Sequence, residues 1–324
     1  MYSTEDLFNN AINGPIADLW QQRQEGFIRG VDNKRIYWCK LTAPEHTKSL
    51  TVVNGRVESC FKYQELFFDL FQQGYDIYAF DHRGQGRSQR LVDDSDIGHV
   101  HVFNDYVNDM KSVVEHVNLS HYQFNGIIAH SMGGAIATRY LQQTPSHPFH
   151  ALCLSAPMFG IPVPWYIKPI AISFAHLLSA IYGKPTFATR NRHYLDKPFS
   201  GNFLSQSRTR YDWFRSLYHQ DSELQVGGPS YHWVWQSLMA AKQCLQQTRQ
   251  LSLPVLLMQA GDDRVVVNKA HQVLFKKLRK TNRHSEFVTI EHAQHELLFE
   301  SDHYRTQALD TMLQFFSRHQ PKTT

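Results

Sequence analysis

The chain has 324 residues, of which 42% are hydrophobic and 19% charged, with a formal net charge of +4 at pH 7. This composition is typical of a globular protein with a large core, built as one elaborated domain or two small ones. The charge is too small to favour nucleic-acid binding, the N-terminus lacks a signal-peptide pattern, and no apolar run reaches about 18 residues. We therefore expect a cytoplasmic protein without a membrane span.

Predicted strands and helices alternate along most of the chain. An opening hairpin is expected at 26–29 and 35–39, followed by strands near 50–53, 76–80, 126–129 and 151–155 and by helices near 60–73, 104–118 and 132–143. Further strands are expected near 253 and 286, before a last helix that contains Leu309, Met312, Leu313 and Phe316 at helical spacing. This alternation predicts an α/β fold with a mostly parallel sheet covered by helices on both faces.

The alternation stops between residues 156 and 252. We interpret this segment as an inserted, mainly helical cap on a core formed by 1–155 and 253–324. Such an insertion would cover the carboxyl ends of the strands, where ligands bind in sheets of this kind.

The first half of the cap is apolar, with Trp165 and Tyr166 ahead of the segment 170–178. This segment would lie at a membrane interface, line an acyl tunnel, or pack against the core. The second half is basic: it contains Lys184, Arg190, Arg192, His193, Arg208, Arg210 and Arg215. These charges are either solvated surface groups or groups that bind phosphate or an anionic membrane. Trp165, Tyr166, Arg208 and Arg210 are our candidates for substrate binding.

A serine nucleophile is indicated by the sequence Ala129-His130-Ser131-Met132-Gly133-Gly134. It follows an apolar strand and precedes a helix, which is the context of a nucleophile elbow. Serine needs a histidine base and a carboxylate. After the strand near 253, Asp262 and Asp263 both occupy the place expected for the acid. After the strand near 286, His292 and His295 are both candidates for the base, and His295 is favoured because it directly precedes a predicted helix.

An oxyanion hole would need two backbone amides. The first is expected from Met132, directly after the nucleophile. The second is expected from Arg56, because Asn54-Gly55-Arg56 follows the predicted strand at 50–53 and Gly55 permits close approach. Asn-Gly is also a common turn sequence. A serine mechanism of this kind requires no cofactor and no metal.

Several motifs together resemble one family. They are Asn54 to Ser59, Lys62 to Leu66, Asp81 to Ser88, Gly98 to Val100, Phe103 to Val107, Ala129 to Gly134, Gly227 to Val234 and His295 to Glu300. The chain resembles α/β-hydrolases of the monoacylglycerol-lipase-like branch, and within it the second type of bacterial inner-membrane lysophospholipases. It departs from the family pattern at Ala129 in the elbow, at Asp262 beside the acid, and at position 292, where His292 replaces the usual glycine.

The resemblance implies the fold of that family and a Ser131–Asp263–His295 triad, because the acid precedes Arg-Val-Val and the base precedes Glu-Leu in the family pattern. It also implies a lysophospholipid substrate and peripheral contact with the inner face of the cytoplasmic membrane. The loop at 81–84 is interpreted as structural. Monoacylglycerol lipase, general carboxylesterase, lysophospholipid acyltransferase and a non-catalytic binding module stay open as alternatives. The oligomeric state is not predicted.

Overall fold

A computed structural model describes residues 2–163, 166, 170–189 and 193–321 of the chain. Within these residues, eight strands form one sheet in the order β1-β2-β4-β3-β5-β6-β7-β8. They are β1 (Gln24–Arg29), β2 (Arg35–Leu41), β3 (Lys48–Val53), β4 (Tyr75–Phe80), β5 (Phe124–His130), β6 (Ala151–Ser155), β7 (Val255–Ala260) and β8 (Glu286–Ile290). The first two strands form the predicted antiparallel hairpin, and the sheet from β4 to β8 is parallel. The predicted α/β class is confirmed.

Helices cover both faces of this sheet. The helices are α1 (Phe8–Ile12), α2 (Pro15–Gln21), α3 (Gln64–Phe71), α4 (Phe103–Val117), α5 (Met132–Gln143), α6 (Ala171–Tyr182), α7 (Arg208–Gln220), α8 (Tyr231–Gln246), α9 (Asn268–Leu278) and α10 (Asp302–Arg318). Successive strand residues point to opposite faces, so Ile127 packs with α4, α5, α8 and α9, whereas Ile128 packs with α3 and α10.

The segment between β6 and β7 carries helices α6, α7 and α8. Helix α6 buries Ala171 and Ala175 but leaves Phe174, Leu177 and Ile181 exposed. These three side chains therefore do not pack against the core, whereas Ile172 and Leu178 of the same helix are half-buried. No helix in the described part of the chain is both long enough and apolar enough to cross a bilayer.

Arg210 ties helix α7 to the core. Its guanidinium donates to both carboxylate oxygens of Glu65 at 2.8 Å and to Asp302 at 2.8 Å, and the residue is 2% exposed. Arg208, two positions earlier, has a side chain that is 68% exposed and lies 3.7 Å from Asp212. A buried charge depends on its partners much more than an exposed one does, because water solvates the exposed group.

We expect Arg210→Ala to lower the free energy of unfolding by about 3 kcal/mol or more, because Glu65 would lose its bidentate partner inside the protein. Arg208→Ala is the matched control and should change it by less than about 0.5 kcal/mol. Denaturant titration of the two variants measures both values. Equal losses would show that Arg210 does not anchor α7.

Candidate active site

Ser131 lies in a strained turn between strand β5 and helix α5. Its backbone has φ 50° and ψ −116°, in the left-handed region that residues other than glycine seldom occupy. The Ser131 amide donates to the carbonyl of Ser155 at 3.0 Å, and its carbonyl accepts from the amide of Met158 at 2.8 Å. These bonds hold the side chain beyond the end of the sheet.

Two glycines let α5 start this close to the sheet. A Cβ atom on Gly133 would lie 2.2 Å from the carbonyl oxygen of Val53, and one on Gly134 would lie 2.6 Å from Cβ of Pro157. Neither clash could be removed by a small side-chain movement, because the atoms that the new Cβ would meet belong to the backbone of Val53 and to the ring of Pro157. Ala129 is fully buried in the core, so its methyl group is accommodated at the position where the elbow motif has glycine.

The structure brings Ser131, His295 and Asp263 into one hydrogen-bonded chain. His295 Nε2 lies 3.0 Å from Ser131 Oγ, and His295 Nδ1 lies 2.8 Å from Asp263 Oδ2. The other Asp263 oxygen accepts from the amides of Val265 at 2.7 Å and Val266 at 3.0 Å. Burial opposes the charge of Asp263, but the hydrogen bond and charge of His295, together with these amides, hold its pKa below the ordinary value. Asp263 is therefore ionised at neutral pH.

Asp262 and His292 lie apart from this chain. Their side chains are 61% and 78% exposed, and Asp262 Oδ2 lies 3.9 Å from His292 Nδ1. The Asp262 amide donates to the carbonyl of Ala293. Both residues therefore lie on the outer surface of the turn. Asp263 and His295, and not Asp262 and His292, are hydrogen-bonded in the chain that ends at Ser131.

The loop after β3 presents the amide of Arg56. The amides on either side are engaged: that of Gly55 donates to Glu58 Oε2 at 2.5 Å, and that of Val57 donates to Gln85 Oε1 at 3.2 Å. The Arg56 amide has no hydrogen-bond partner among the described residues. The Met132 amide is the first of α5, where N–H groups lack an intrahelical partner. Among the described residues neither amide has a protein partner, so both stay candidates for the oxyanion hole.

A buried charged cluster fixes this loop. Glu58 accepts from Lys62 Nζ at 2.8 Å and from the Tyr63 hydroxyl at 2.6 Å, and Lys62 also pairs with Glu296 at 2.7 Å. Burial alone would raise the pKa of Glu58, but Lys62 and the other partners lower it to about 2. Sequence reasoning gave these residues no role, although all of them stand within the motifs that carry the family resemblance.

The loop at 81–85 braces the same region from the other side. Gln85 Nε2 donates to the carbonyls of Gly55 at 2.8 Å and Glu58 at 2.7 Å. Asp81 accepts from the amide of Cys60 at 2.7 Å, and Arg83 pairs with Asp109 at 2.6 Å. These bonds agree with the structural role expected for this loop.

His130, directly before the serine, is a further residue that sequence reasoning missed. Its ring lies 4.8 Å from that of His295, and its Nδ1 lies 3.1 Å from the carbonyl of Ser155. Burial lowers the pKa of His130 to about 4. The ring is therefore neutral at physiological pH and adds no positive charge beside His295.

A cavity of about 330 Å³ opens at Ser131. Its apolar lining residues include Met158, Ile161, Phe203, Leu204, Phe214, Trp233, Val265 and Val266, and its charged lining residues include Arg56, Glu58, Lys62, Arg215 and Glu296. Arg208, Arg210 and Tyr166 do not line it, and Tyr166 is 65% exposed. Trp165, the remaining candidate for substrate binding, lies outside the described residues. The placement of these side chains gives the substrate-binding role no support at Arg208 or Arg210.

Metal ligation finds no support in the part of the chain that the structure describes, since no group of three or more His, Cys, Asp or Glu side chains lies together there in a suitable arrangement.

Comparisons with known proteins agree with this fold. The Hydrolase_4 family model, described as serine aminopeptidase S33, matches residues 44–302. Lysophospholipase L2 of Escherichia coli K12 is 39% identical, with 97% of this chain and 94% of that protein covered. A probable lysophospholipase L2 of Haemophilus influenzae is 31% identical, with coverage of 97% and 98%.

Among solved structures, a soluble variant of monoglyceride lipase from Saccharomyces cerevisiae, in complex with a substrate analogue, superposes with a TM-score of 0.70 at 17% identity, with 93% of this chain and 96% of that chain covered. This likeness shows the α/β-hydrolase fold. The family match and the near-full-length relatives establish that the chain is an ester hydrolase that belongs to the Hydrolase_4 family, in the group of the lysophospholipases L2.

Proposed function

We propose that this protein hydrolyses the fatty acyl ester of lysophospholipids, with Ser131 as nucleophile, His295 as general base and Asp263 as the group that orients the base. The observation that carries the proposal is the hydrogen-bonded chain from Ser131 through His295 to Asp263, at 3.0 and 2.8 Å, beside a mostly apolar cavity. The relatives named lysophospholipase L2 supply the substrate class.

In the first step, Ser131 Oγ attacks the ester carbonyl carbon while His295 Nε2 accepts the hydroxyl proton. The amides of Met132 and Arg56 bind the oxyanion of the tetrahedral intermediate. The carbon–oxygen bond to the glycerol then breaks, and His295 donates its proton to the leaving alkoxide. The products of this step are the glycerophospho-alcohol and an acyl ester on Ser131.

In the second step, a water molecule attacks the acyl ester while His295 removes its proton. The tetrahedral intermediate collapses to the free fatty acid, and the proton returns to Ser131 Oγ. An alcohol in place of water would give acyl transfer through the same groups, so the triad alone does not separate hydrolase from transferase.

The roles of the triad residues can be tested by paired substitutions. Ser131→Ala should lower kcat by roughly 10⁴- to 10⁶-fold without unfolding the protein, and Asp263→Asn and His295→Ala should each lower it by roughly 10⁴-fold or more. Their exposed neighbours provide the matched controls, Asp262→Asn and His292→Ala, which should keep most of the activity. A larger loss in either control than in its partner would reassign that position.

Substrate preference should follow from the apolar residues that line the cavity. Each acyl CH₂ group that is buried contributes ~0.8 kcal/mol of binding, so a long single chain binds far better than a two-carbon ester. We expect kcat/KM to be highest for lysophospholipids, and lower for diacyl phospholipids and short p-nitrophenyl esters. A higher kcat/KM for the monoacylglycerol of the same chain length would favour the monoacylglycerol lipase alternative.

The exposed face of α6 supports a further proposal, that the cap contacts a lipid surface. Ile170, Phe174, Leu177 and Ile181 follow helical spacing and are exposed by 42% to 66%, whereas Ala171 and Ala175 are buried. The helix contains no Asp, Glu, Lys or Arg. An apolar helical stripe of this kind suits the boundary between lipid headgroups and acyl chains. It fits the predicted peripheral location at the inner face of the cytoplasmic membrane.

Leu177→Glu and Ile181→Glu should each weaken binding to phospholipid vesicles by about tenfold or more, because a buried Leu or Ile side chain contributes ~1.5–3 kcal/mol. Leu7→Glu, at an apolar residue that is 61% exposed outside the cap, is the matched control and should bind like the wild type. Vesicle co-sedimentation measures all three. Unchanged binding by both α6 variants would exclude this face as the contact.

A further inference from the structure

Two arginines line the catalytic cavity without a carboxylate partner in the described part of the chain. Arg56 donates from Nη2 to the carbonyl of Gly227 at 2.6 Å and lies 5.1 Å from the Trp233 ring. Arg215 lies 4.9 Å from the ring of Phe214 and 5.0 Å from that of Tyr211. The Nε atom of each is buried without a hydrogen-bond partner among the described residues. A guanidinium has five N–H donors, and the Nε–H donor of each arginine is left for a ligand.

Among the described residues, the three most deeply buried arginines pair with carboxylates, whereas Arg139, which is 5% exposed, donates to the side-chain oxygens of Gln142 and Gln247. Arg83 pairs with Asp109 at 2.6 Å, Arg210 with Glu65 at 2.8 Å, and Arg305 with Asp69 at 2.7 Å. Removing a charge from water is costly unless an opposite charge compensates it. Arg56 and Arg215 are half-buried, face the cavity and have no carboxylate partner among the described residues, so an anionic ligand bound there would supply an opposite charge for both.

Neither arginine is neutralised by its surroundings. Burial lowers the pKa of Arg56 to about 10, which still leaves it protonated at neutral pH. Burial also opposes the charge of Arg215, but the neighbouring hydroxyl groups of Tyr194 and Tyr211 raise its pKa. The carboxylates of Glu58 and Glu296 line the same cavity, but both pair with Lys62, at 2.8 and 2.7 Å.

A second cavity, of about 280 Å³, adjoins the catalytic one. The two share Arg56, Val57 and Arg215 as lining residues. The second cavity is otherwise lined mainly by polar side chains and by backbone of the cap, among them His193, Lys197 and Gly228. The two guanidinium groups therefore stand at the boundary between the space beside Ser131 and a more polar space.

We propose that Arg56 and Arg215 bind the phosphodiester of the substrate, so that the acyl ester lies at Ser131 and the head group extends into the second cavity. This inference rests on the proposed lysophospholipid hydrolysis and assigns its head-group specificity. Guanidinium groups match phosphate oxygens in charge and in geometry, whereas the free hydroxyl groups of a monoacylglycerol offer no anion. Arg56 would then act twice, through its amide on the oxyanion and through its side chain on the phosphate.

The test is the ratio of kcat/KM for lysophosphatidylcholine to kcat/KM for the monoacylglycerol with the same acyl chain, both in nonionic detergent micelles. A hydrogen bond to a charged group contributes ~1.5–3 kcal/mol, so Arg56→Gln and Arg215→Gln should each lower this ratio by about tenfold to a hundredfold. Arg56→Lys and Arg215→Lys keep the charge and should recover part of the loss. Arg208→Gln, at an exposed arginine outside the cavity, should leave the ratio unchanged.

A substitution of Arg56 that disturbs the loop after β3 would lower kcat/KM for both substrates and leave their ratio unchanged. If the Arg56 variants fail to fold, the ratio measured for Arg215→Gln tests the proposal by itself. Glycerophosphocholine should inhibit short-ester hydrolysis by the wild type and do so less well in the Gln variants. An unchanged ratio in Arg215→Gln, with wild-type enzyme that prefers lysophosphatidylcholine, would overturn this inference alone. A wild-type preference for the monoacylglycerol would instead overturn the proposed function.

Discussion

The close contact between helix α5 and the end of strand β3 is the constraint on which the site depends. Because a Cβ atom on Gly133 would lie 2.2 Å from the carbonyl oxygen of Val53, the helix can begin directly over the sheet only with glycine there. That start forces the left-handed backbone of Ser131 and places its hydroxyl group beyond the strand ends. It also leaves the first amide of the helix close to the loop that carries Arg56.

The residues around Ser131 must also be held in place, although several of them are charged. Ion pairs between buried side chains hold them. Lys62 joins Glu58 to Glu296 and so links the loop after β3, which carries Arg56, to the residue directly after His295. Removing one member would leave an uncompensated buried charge, which costs much more than the net stabilisation that the pair provides. The same principle ties α7 of the cap to the core through Arg210 and Glu65.

The cavity combines two environments that suit a single-chain amphiphile. Its lining includes apolar side chains such as Met158, Phe214 and Trp233, together with charged side chains from the segments after β3 and β8 and from α7. An acyl chain gains free energy by leaving water against the apolar side chains, and a charged head group gains from fixed donors. The segment between β6 and β7 contributes side chains of both kinds.

The sequence by itself determined the fold class and the candidates for the triad. Apolar residues recur with a period of two in strands and of 3.6 in helices, so each element can be predicted from its own segment of sequence. The turn at Ser131 is likewise a contiguous motif whose geometry follows from its own glycines. The choice between Asp262 and Asp263 came from family resemblance, because adjacent residues in a turn share one local signal. His295 was favoured over His292 by its place directly before a predicted helix as well as by that resemblance.

Only the tertiary structure decided what the cap arginines contact. Arg208, Arg210 and Arg215 belong to one helix and look alike in sequence, yet one is solvated, one is buried against Glu65, and one lines the cavity. The side-chain role of Arg56 was equally hidden, because its cavity is closed by residues about 160 and 177 positions away, Arg215 and Trp233. Burial and partners of a charged group depend on contacts between distant segments, and no local pattern of residues encodes them.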